Sequence, residues 1–337
     1  MTSARIADIA REAGVGTTTV DRVLNDRGNV SAEVAKRVVD AATRLGSRRI
    51  LPDAHRPLSR IQLLLPEPQS DFRIRLAHAF REFRNIVDRN LSIQIDYCDP
   101  FDAVAIARAI NSSNAQAIAF AGTNDVILQH AVENAKQRGI YIATIIGDIP
   151  NTARDVYIGI DNRAAARTAV WLTSSRLEKS GSAVILTSGI DGAGLSGRID
   201  GFRDALAQYL PGVTLAGVHV TNDDHRQCYN VLSQALHKNE DVVLVYNCGA
   251  ANEMIGEVLK RQKCQRQICF IGHELTPITS AMLKTGEMFL CIDQNPDLMA
   301  RRAIERMAAW CGFTAGLVRE DRQVDFIPFT LHTRENC

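Results

Sequence analysis

From Ile61 onward, apolar runs of strand length alternate with amphipathic helical stretches, and this alternation leaves few folds open to the chain. Ile61 to Leu65 is followed by helical spacing over 75–89, Leu91 to Tyr97 by 104–110, Ala117 to Phe120 by 126–138, and then Ile140 to Ile146. Asp155 to Ile160 and a helical stretch over 161–177 open a second series, with strands at 183–187, 213–220, 242–246 and 268–271 and helices at 199–209, 226–237 and 252–261. Parallel strands need crossover helices, so the pattern predicts two doubly wound α/β subdomains of similar size. Ligands of such sheets bind beyond the carboxyl ends of the strands, and two facing subdomains make a cleft that closes on a small molecule. In CIDQNPDLMARRAIERMAAW, Met299, Ala303, Ile304 and Met307 share one helical face, a core stripe expected to return to the first subdomain.

The first sixty residues read differently. In RIADIAREAGVGTTTVDRVLN, Ile6, Ile9, Ala10 and Ala13 form one helical stripe, Gly14 suits a left-handed cap, and Val20, Val23 and Leu24 form a second stripe. Two short helices crossing at a tight turn would leave Thr17, Thr18 and Arg22 on the outer side of the second, as a helix-turn-helix presents its recognition helix to the DNA major groove. VSAEVAKRVVDAATRLG predicts a third helix with Ser31 as cap, Glu33 in the first turn, Val34, Val38, Ala41, Ala42 and Leu45 on one face, and Gly46 as stop.

The pattern AxxAGVxxxTVxRVLN followed by VSxExxxRVxxAxxxLG resembles the headpiece of the LacI/GalR family of bacterial transcription regulators. The alternating region resembles the effector-binding core of the same family, which is similar to type 1 periplasmic sugar-binding proteins. The resemblance implies a three-helix headpiece over 1–46, a hinge over 47–60 and a core over 61–337. Within that core the first subdomain would cover about 61–159 and 293–318, and the second about 160–292 and 319–330. It also implies a homodimer that binds double-stranded operator DNA, as a repressor, under the control of a small carbohydrate. DNA contact would fall on Thr17, Thr18, Thr19, Arg22 and Asn25, and on Asn29, Val30 and Ser31 in the following turn.

Two departures stand out. The family usually carries Ser where this chain has Asp21, and a carboxylate there would repel a phosphate. The family's hinge helix wedges a leucine into the minor groove; here 45–58 reads LGSRRILPDAHRPL, where Pro52 and Pro57 interrupt a helix. Either Leu51 or Leu58 replaces the wedge, or the hinge binds differently.

Charge is split along the chain. Residues 1–60 hold 11 Lys and Arg against 7 acids, an excess of +4, whereas the remainder holds 28 against 31. A polyanion at the N-terminal end and none at the large region fits this asymmetry. With 46% hydrophobic and 23% charged residues, no apolar run long enough for a membrane span and no signal-peptide layout, the chain reads as a cytoplasmic globular protein without a membrane partner. The eight cysteines lack paired CxxC spacing, which suits reduced thiols, and the irregular set Cys264, Cys269 and His273 does not read as a metal site.

A sugar offers hydroxyls and a weakly apolar face, so its site needs planar charged groups, amides, carboxylates and an aromatic wall. Such residues fall at predicted strand ends: Asp161, Arg198, Asn247, His273, Glu274 and Gln294 in the second series, and Asp71, Phe72, Asn124 and Asp148 in the first. By resemblance, the Arg of RxxGF and the acid after the penultimate strand bind effector; His273-Glu274 and Asn247-Cys248 depart from the usual Phe-Asp or Tyr-Asp and Asn-Asp. An alternative is an NAD(P)-binding enzyme or redox sensor, because GAGLSG at 192–197 fits G-x-G-x-x-G between a strand and a helix. Its first glycine lies five residues past Thr187, outside the tight turn that such a fingerprint needs, so no cofactor and no catalysis are expected.

Overall fold

A computed structural model describes residues 5–25, 27–45, 47, 58–84, 90–177, 180–189, 193–261, 268–313 and 323–337 of the 337. Gly46, most of the hinge with Leu51, Pro52 and Pro57, Gly192 and Cys264 lie outside the described residues. Leu58, where description resumes, is exposed.

Helices α1 (Ile6–Ala13), α2 (Thr17–Leu24) and α3 (Ala32–Arg44) close one small core. Gly14 adopts φ 65° and its N–H reaches back to the carbonyls of Ala10 and Arg11, ending α1 and letting α2 begin three residues later. Ile9, Ala10, Ala13, Val20, Val23 and Leu24 are buried against Ala35, Val38, Val39, Ala41 and Ala42. The apolar face of α3 thus differs from the predicted stripe. Ala35 and Val39 are inside, Val34 is half-buried and Leu45 is exposed, because α3 packs against both α1 and α2 and needs a wider face than a single stripe.

The first core sheet has the order β11-β5-β4-β3-β1-β2, all parallel. Its members are β1 (Ser59–Pro66), β2 (Leu91–Cys98), β3 (Ala117–Phe120), β4 (Tyr141–Ile145), β5 (Val156–Gly159) and β11 (Val324–Phe326). Helices α4 (Asp71–Arg84), α5 (Ala103–Ser112) and α6 (Val126–Gln137) link the strands, and α12 (Pro296–Trp310) packs on α4. The second sheet has the order β12-β10-β9-β8-β6-β7, parallel except for β12. Its strands are β6 (Gly181–Thr187), β7 (Val213–Val220), β8 (Val242–Asn247), β9 (Cys269–His273), β10 (Leu290–Asp293) and β12 (Thr330–His332). Helices α7 (Asn162–Thr173), α8 (Ala193–Tyr209), α9 (His225–Lys238), α10 (Asn252–Arg261) and α11 (Pro277–Thr285) accompany them.

Three corrections to the sequence reading bear on function. The segment 319–330 does not belong wholly to the second subdomain: β11 pairs with β5 of the first sheet, and only β12 joins the second. Strands of three residues carry no periodic signal, so pairing alone decides their sheet. Next, α8 begins at Ala193 instead of Ile199, which puts AGLSG inside a helix. Finally, α11, nine residues with Pro277 in its first turn and a Thr276 cap, is not announced by periodicity.

The glycines of α8 have a packing role. A Cβ on Gly201 would lie 2.4 Å from the Arg163 carbonyl oxygen, and one on Gly194 would lie 3.2 Å from the Ile146 oxygen and from the Asn162 amide. They let α8 cross α7 with backbones nearly touching. The motif that mimics a phosphate loop is a helix contact, and the nucleotide alternative loses its geometry.

Candidate ligand cleft and DNA-reading face

The carboxyl ends of the two sheets face one another across a cavity of about 1040 Å³. Of the residues predicted to hold an effector, Asp71, Phe72, Arg198, His273, Glu274 and Gln294 line it. Asn124, Asp148, Asp161 and Asn247 do not. Each of those four is committed elsewhere: Asn124 Oδ1 accepts from Gln129, Asp161 caps α7 at the Ala164 N–H, and Asp148 takes the Arg154 guanidinium through Nε at 2.5 Å and Nη2 at 2.6 Å. Asn247 donates to the carbonyls of Gly249 and Ala250 and to Asn252 Oδ1, while its own Oδ1 accepts the Gly249 N–H. That amide shapes the loop after β8 from behind.

The polar floor of the cleft belongs to the second sheet. Arg198, on the second turn of α8, is buried, and its orientation is set twice: Nε donates to Asn162 Oδ1 at 2.7 Å and Nη1 to the Cys248 carbonyl at 2.8 Å. Arg198 also lines the cavity. Because α8 starts at Ala193, Arg198 does not sit at the helix N-terminus, and its reason for being there is this pair of acceptors.

His273 ends β9. Its Nε2 is 2.8 Å from the Tyr246 hydroxyl, and its Nδ1 is buried without a partner. Burial, then the nearby Arg198 charge, hold its pKa well below the ordinary histidine range, so the ring is neutral. Glu274 follows with φ 72°, a left-handed conformation that a non-glycine residue adopts only where the surroundings impose it. Its Oε1 accepts from Gln294 Nε2, and its Oε2 has no partner. Burial, then the Asp293 charge, raise its pKa to about 7, while Gln294, Arg198 and Arg75 pull the other way. Gln294 Oε1 is likewise buried and unpartnered.

The first sheet lines the cleft with Phe72 and Phe101 and with the backbone of Gly122 and Gly147. Arg73 reaches across the opening, its Nη2 3.6 Å from Asp223 Oδ2. The second sheet holds that aspartate by the Ser188 hydroxyl at 2.5 Å and the Ala250 N–H at 2.9 Å on Oδ1. Arg75 also spans the halves, donating to Asp293 at 2.5 Å and to the Leu275 carbonyl at 3.0 Å. Sequence reasoning misses Phe101, Arg73 and Asp223; the turn DPF after β2 and the polar pair Asn222-Asp223 after β7 are the signals that could have found Phe101 and Asp223.

On the headpiece, Thr17, Thr18, Arg22, Asn25 and Asn29 are exposed, Thr19 is half-buried, and Val30 packs half-buried against the headpiece core. Ser31 Oγ accepts the Val34 N–H and so caps α3. Among the described residues there is no group of metal-binding side chains, and no helix is long and apolar enough to cross a membrane.

Comparison with known proteins agrees with both parts. Residues 98–312 match the periplasmic binding protein domain, and residues 5–48 match the bacterial regulatory proteins of the lacI family. The HTH-type transcriptional regulator DegA of Bacillus subtilis is 27% identical over 60% of this chain and 60% of its own length. The HTH-type transcriptional regulator RegA of Clostridium saccharobutylicum is 37% identical over 26% of this chain and 27% of its own. The chain therefore matches less than two thirds of the length of either relative.

Among solved structures, a solute-binding protein of Burkholderia graminis in complex with D-arabinose superposes with a TM-score of 0.74 at 19% identity, covering 83% of this chain and 96% of that one. A LacI transcriptional regulator assigned in Bacteroides fragilis superposes at 0.70 with 20% identity, covering 83% and 98%. These likenesses establish the fold. The chain belongs to the periplasmic binding protein domain family and carries at its N-terminal end the headpiece of the lacI family of bacterial regulatory proteins.

Proposed function

We propose that the protein is a DNA-binding transcriptional regulator, a cytoplasmic sensor and not an enzyme, whose operator affinity is set by a small carbohydrate or related polyol held in the cleft. The observation that carries the effector reading is the set of three buried, unpartnered polar atoms on the cleft floor: His273 Nδ1, Glu274 Oε2 and Gln294 Oε1. A buried polar atom without a partner costs roughly 1 to 3 kcal/mol, and a ligand rich in hydroxyls relieves all three at once. Each hydroxyl both donates and accepts, which suits two acceptors beside the donating guanidinium of Arg198. Phe72 and Phe101 supply the wall for an apolar ring face. D-arabinose in the Burkholderia graminis protein is consistent with this ligand class.

DNA binding rests on the exposed face of α2, with Thr17, Thr18 and Arg22 as base readers and Arg22 as the partner of a guanine edge. One headpiece reads a half-site, so the active form is a homodimer on a pseudo-palindrome. Cleft closure would turn the first subdomain, to which the hinge connects, and so alter the separation of the two readers. Selecting bound duplexes from a random-sequence pool tests this reading: a two-fold repeated motif supports it, whereas recovery of no enriched motif by a protein that sediments as a monomer overturns it.

A further inference from the structure

Asp21 stands in the middle of the strip that α2 exposes. Thr17, Asp21 and Asn25 recur at four-residue spacing beside Thr18 and Arg22, so the carboxylate lies among the residues offered to DNA. Alone it would oppose a phosphate backbone. It is not alone: Oδ1 accepts from Asn25 Nδ2 at 2.7 Å, and Oδ2 accepts from Arg27 Nη1 at 3.0 Å. The same Asn25 amide also donates to the Asp21 carbonyl at 3.0 Å, and the Arg27 N–H donates to the Arg22 carbonyl at 2.9 Å, which folds the turn back over the end of α2. The Asp21 and Arg27 side chains remain 36% and 65% exposed, so the pair adds little to folding stability and acts by where it places charge.

We propose that Asp21 is a positioning residue that restrains DNA affinity: it holds the Arg27 guanidinium and the Asn25 amide hydrogens within the headpiece, away from phosphates, while Arg22 stays outside the clamp. The proposal rests on the DNA-binding reading above. Each cation withheld from the backbone removes one counterion-releasing interaction, and such interactions supply nearly all sequence-independent binding. Base readout through Arg22 is untouched, and a withheld phosphate contact lowers operator and bulk-DNA affinity alike together with the salt dependence.

The test measures binding of the full chain to a labelled duplex of mixed sequence across a salt series. Asp21→Ser should bind more tightly than the unaltered protein and steepen the slope of log K against log salt by about 0.9 for each additional phosphate neutralised. Asp21→Asn, which keeps the size and removes the charge, should move in the same direction. With Arg27→Ala added, the tighter binding of Asp21→Ser should largely vanish, an outcome that a merely structural role for Asp21 does not produce. Unchanged thermal melting shows that the variants fold.

An unchanged slope in Asp21→Ser, or weaker binding, overturns the clamp while salt-dependent binding by the unaltered protein upholds DNA recognition. Absence of DNA binding by every form at low salt overturns both.

Discussion

The first sheet runs β2-β1-β3-β4-β5 and the second β7-β6-β8-β9-β10 in the same parallel sense, but their strand ends line the cleft with different chemistry. The first half contributes the two phenylalanines, glycine backbone and exposed or half-buried polar side chains such as Glu67, Asp71, Arg73 and Asp99; the second contributes Arg198, His273, Glu274 and Gln294, all buried. Burying that many polar groups is costly unless something pairs them, so under the proposed function the effector's hydroxyls complete the hydrogen bonds of the second half and the first half covers them. Arg73 and Arg75 on α4 are the arms by which the cover touches the floor.

The largest expected effect comes from Arg198→Ala. A buried charge-assisted bond is worth about 1.5 to 3 kcal/mol, so losing the guanidinium should weaken effector binding at least tenfold and leave headpiece DNA binding intact. Calorimetric titration measures it, and an unaltered affinity would place recognition outside the second half.

Gly201→Ala comes next and concerns how the floor is held. The added methyl meets Arg163 backbone at 2.4 Å and 2.9 Å, and forcing α7 and α8 apart should cost roughly 1 to 3 kcal/mol in denaturant unfolding. Wild-type stability in this variant would mean that the two helices separate freely, which contradicts the rigid floor.

Glu274 gives a pH signature confined to the second half. Its pKa is raised from 4.5 to about 7, so the unliganded protein is most stable below the unfolded value and loses stability as pH rises from about 4.5 to about 7. The shift corresponds to about 3 kcal/mol. In Glu274→Gln that decline should disappear and the variant should be the more stable form above pH 7. Parallel stability curves for the two proteins would mean that the carboxyl is solvated.

Smallest is Arg73→Ala. The Arg73–Asp223 pair is partly exposed at 3.6 Å, and such pairs contribute about 0.2 to 1 kcal/mol, so effector affinity should fall by no more than about fivefold and the loss should shrink at high salt. A much larger loss would make the first half a recognition surface as well.

Much of this division was legible in the sequence, for reasons that residues make plain. Uniform apolar runs such as Ala117 to Phe120 are buried on both faces, and the structure keeps that strand with the same ends. The headpiece pattern was similarly clear because Gly14 and the two short stripes leave one way to pack. Strand-end position also brought His273, Glu274 and Gln294 together.

It could not separate cleft residues from braces. Asp148 and Asp161 are, like Glu274, polar residues just past a strand, but the first is taken by Arg154 six residues on and the second by the Ala164 N–H three residues on. Residue type and position alone do not tell such a brace from a residue that faces the cleft. The start of α8 was hidden because glycine reads as a loop former, whereas here it is selected by the close approach of α7.

The most direct measurement is a thermal shift of the unaltered protein against a panel of neutral aldoses and polyols, phosphorylated sugars and nicotinamide dinucleotides. Ligand that binds only the folded form raises the melting temperature with concentration. A saturable rise with at least one neutral sugar or polyol, and none with the dinucleotides, is the predicted result. A rise confined to phosphorylated sugars or to dinucleotides would contradict a cleft floor made to pair hydroxyls.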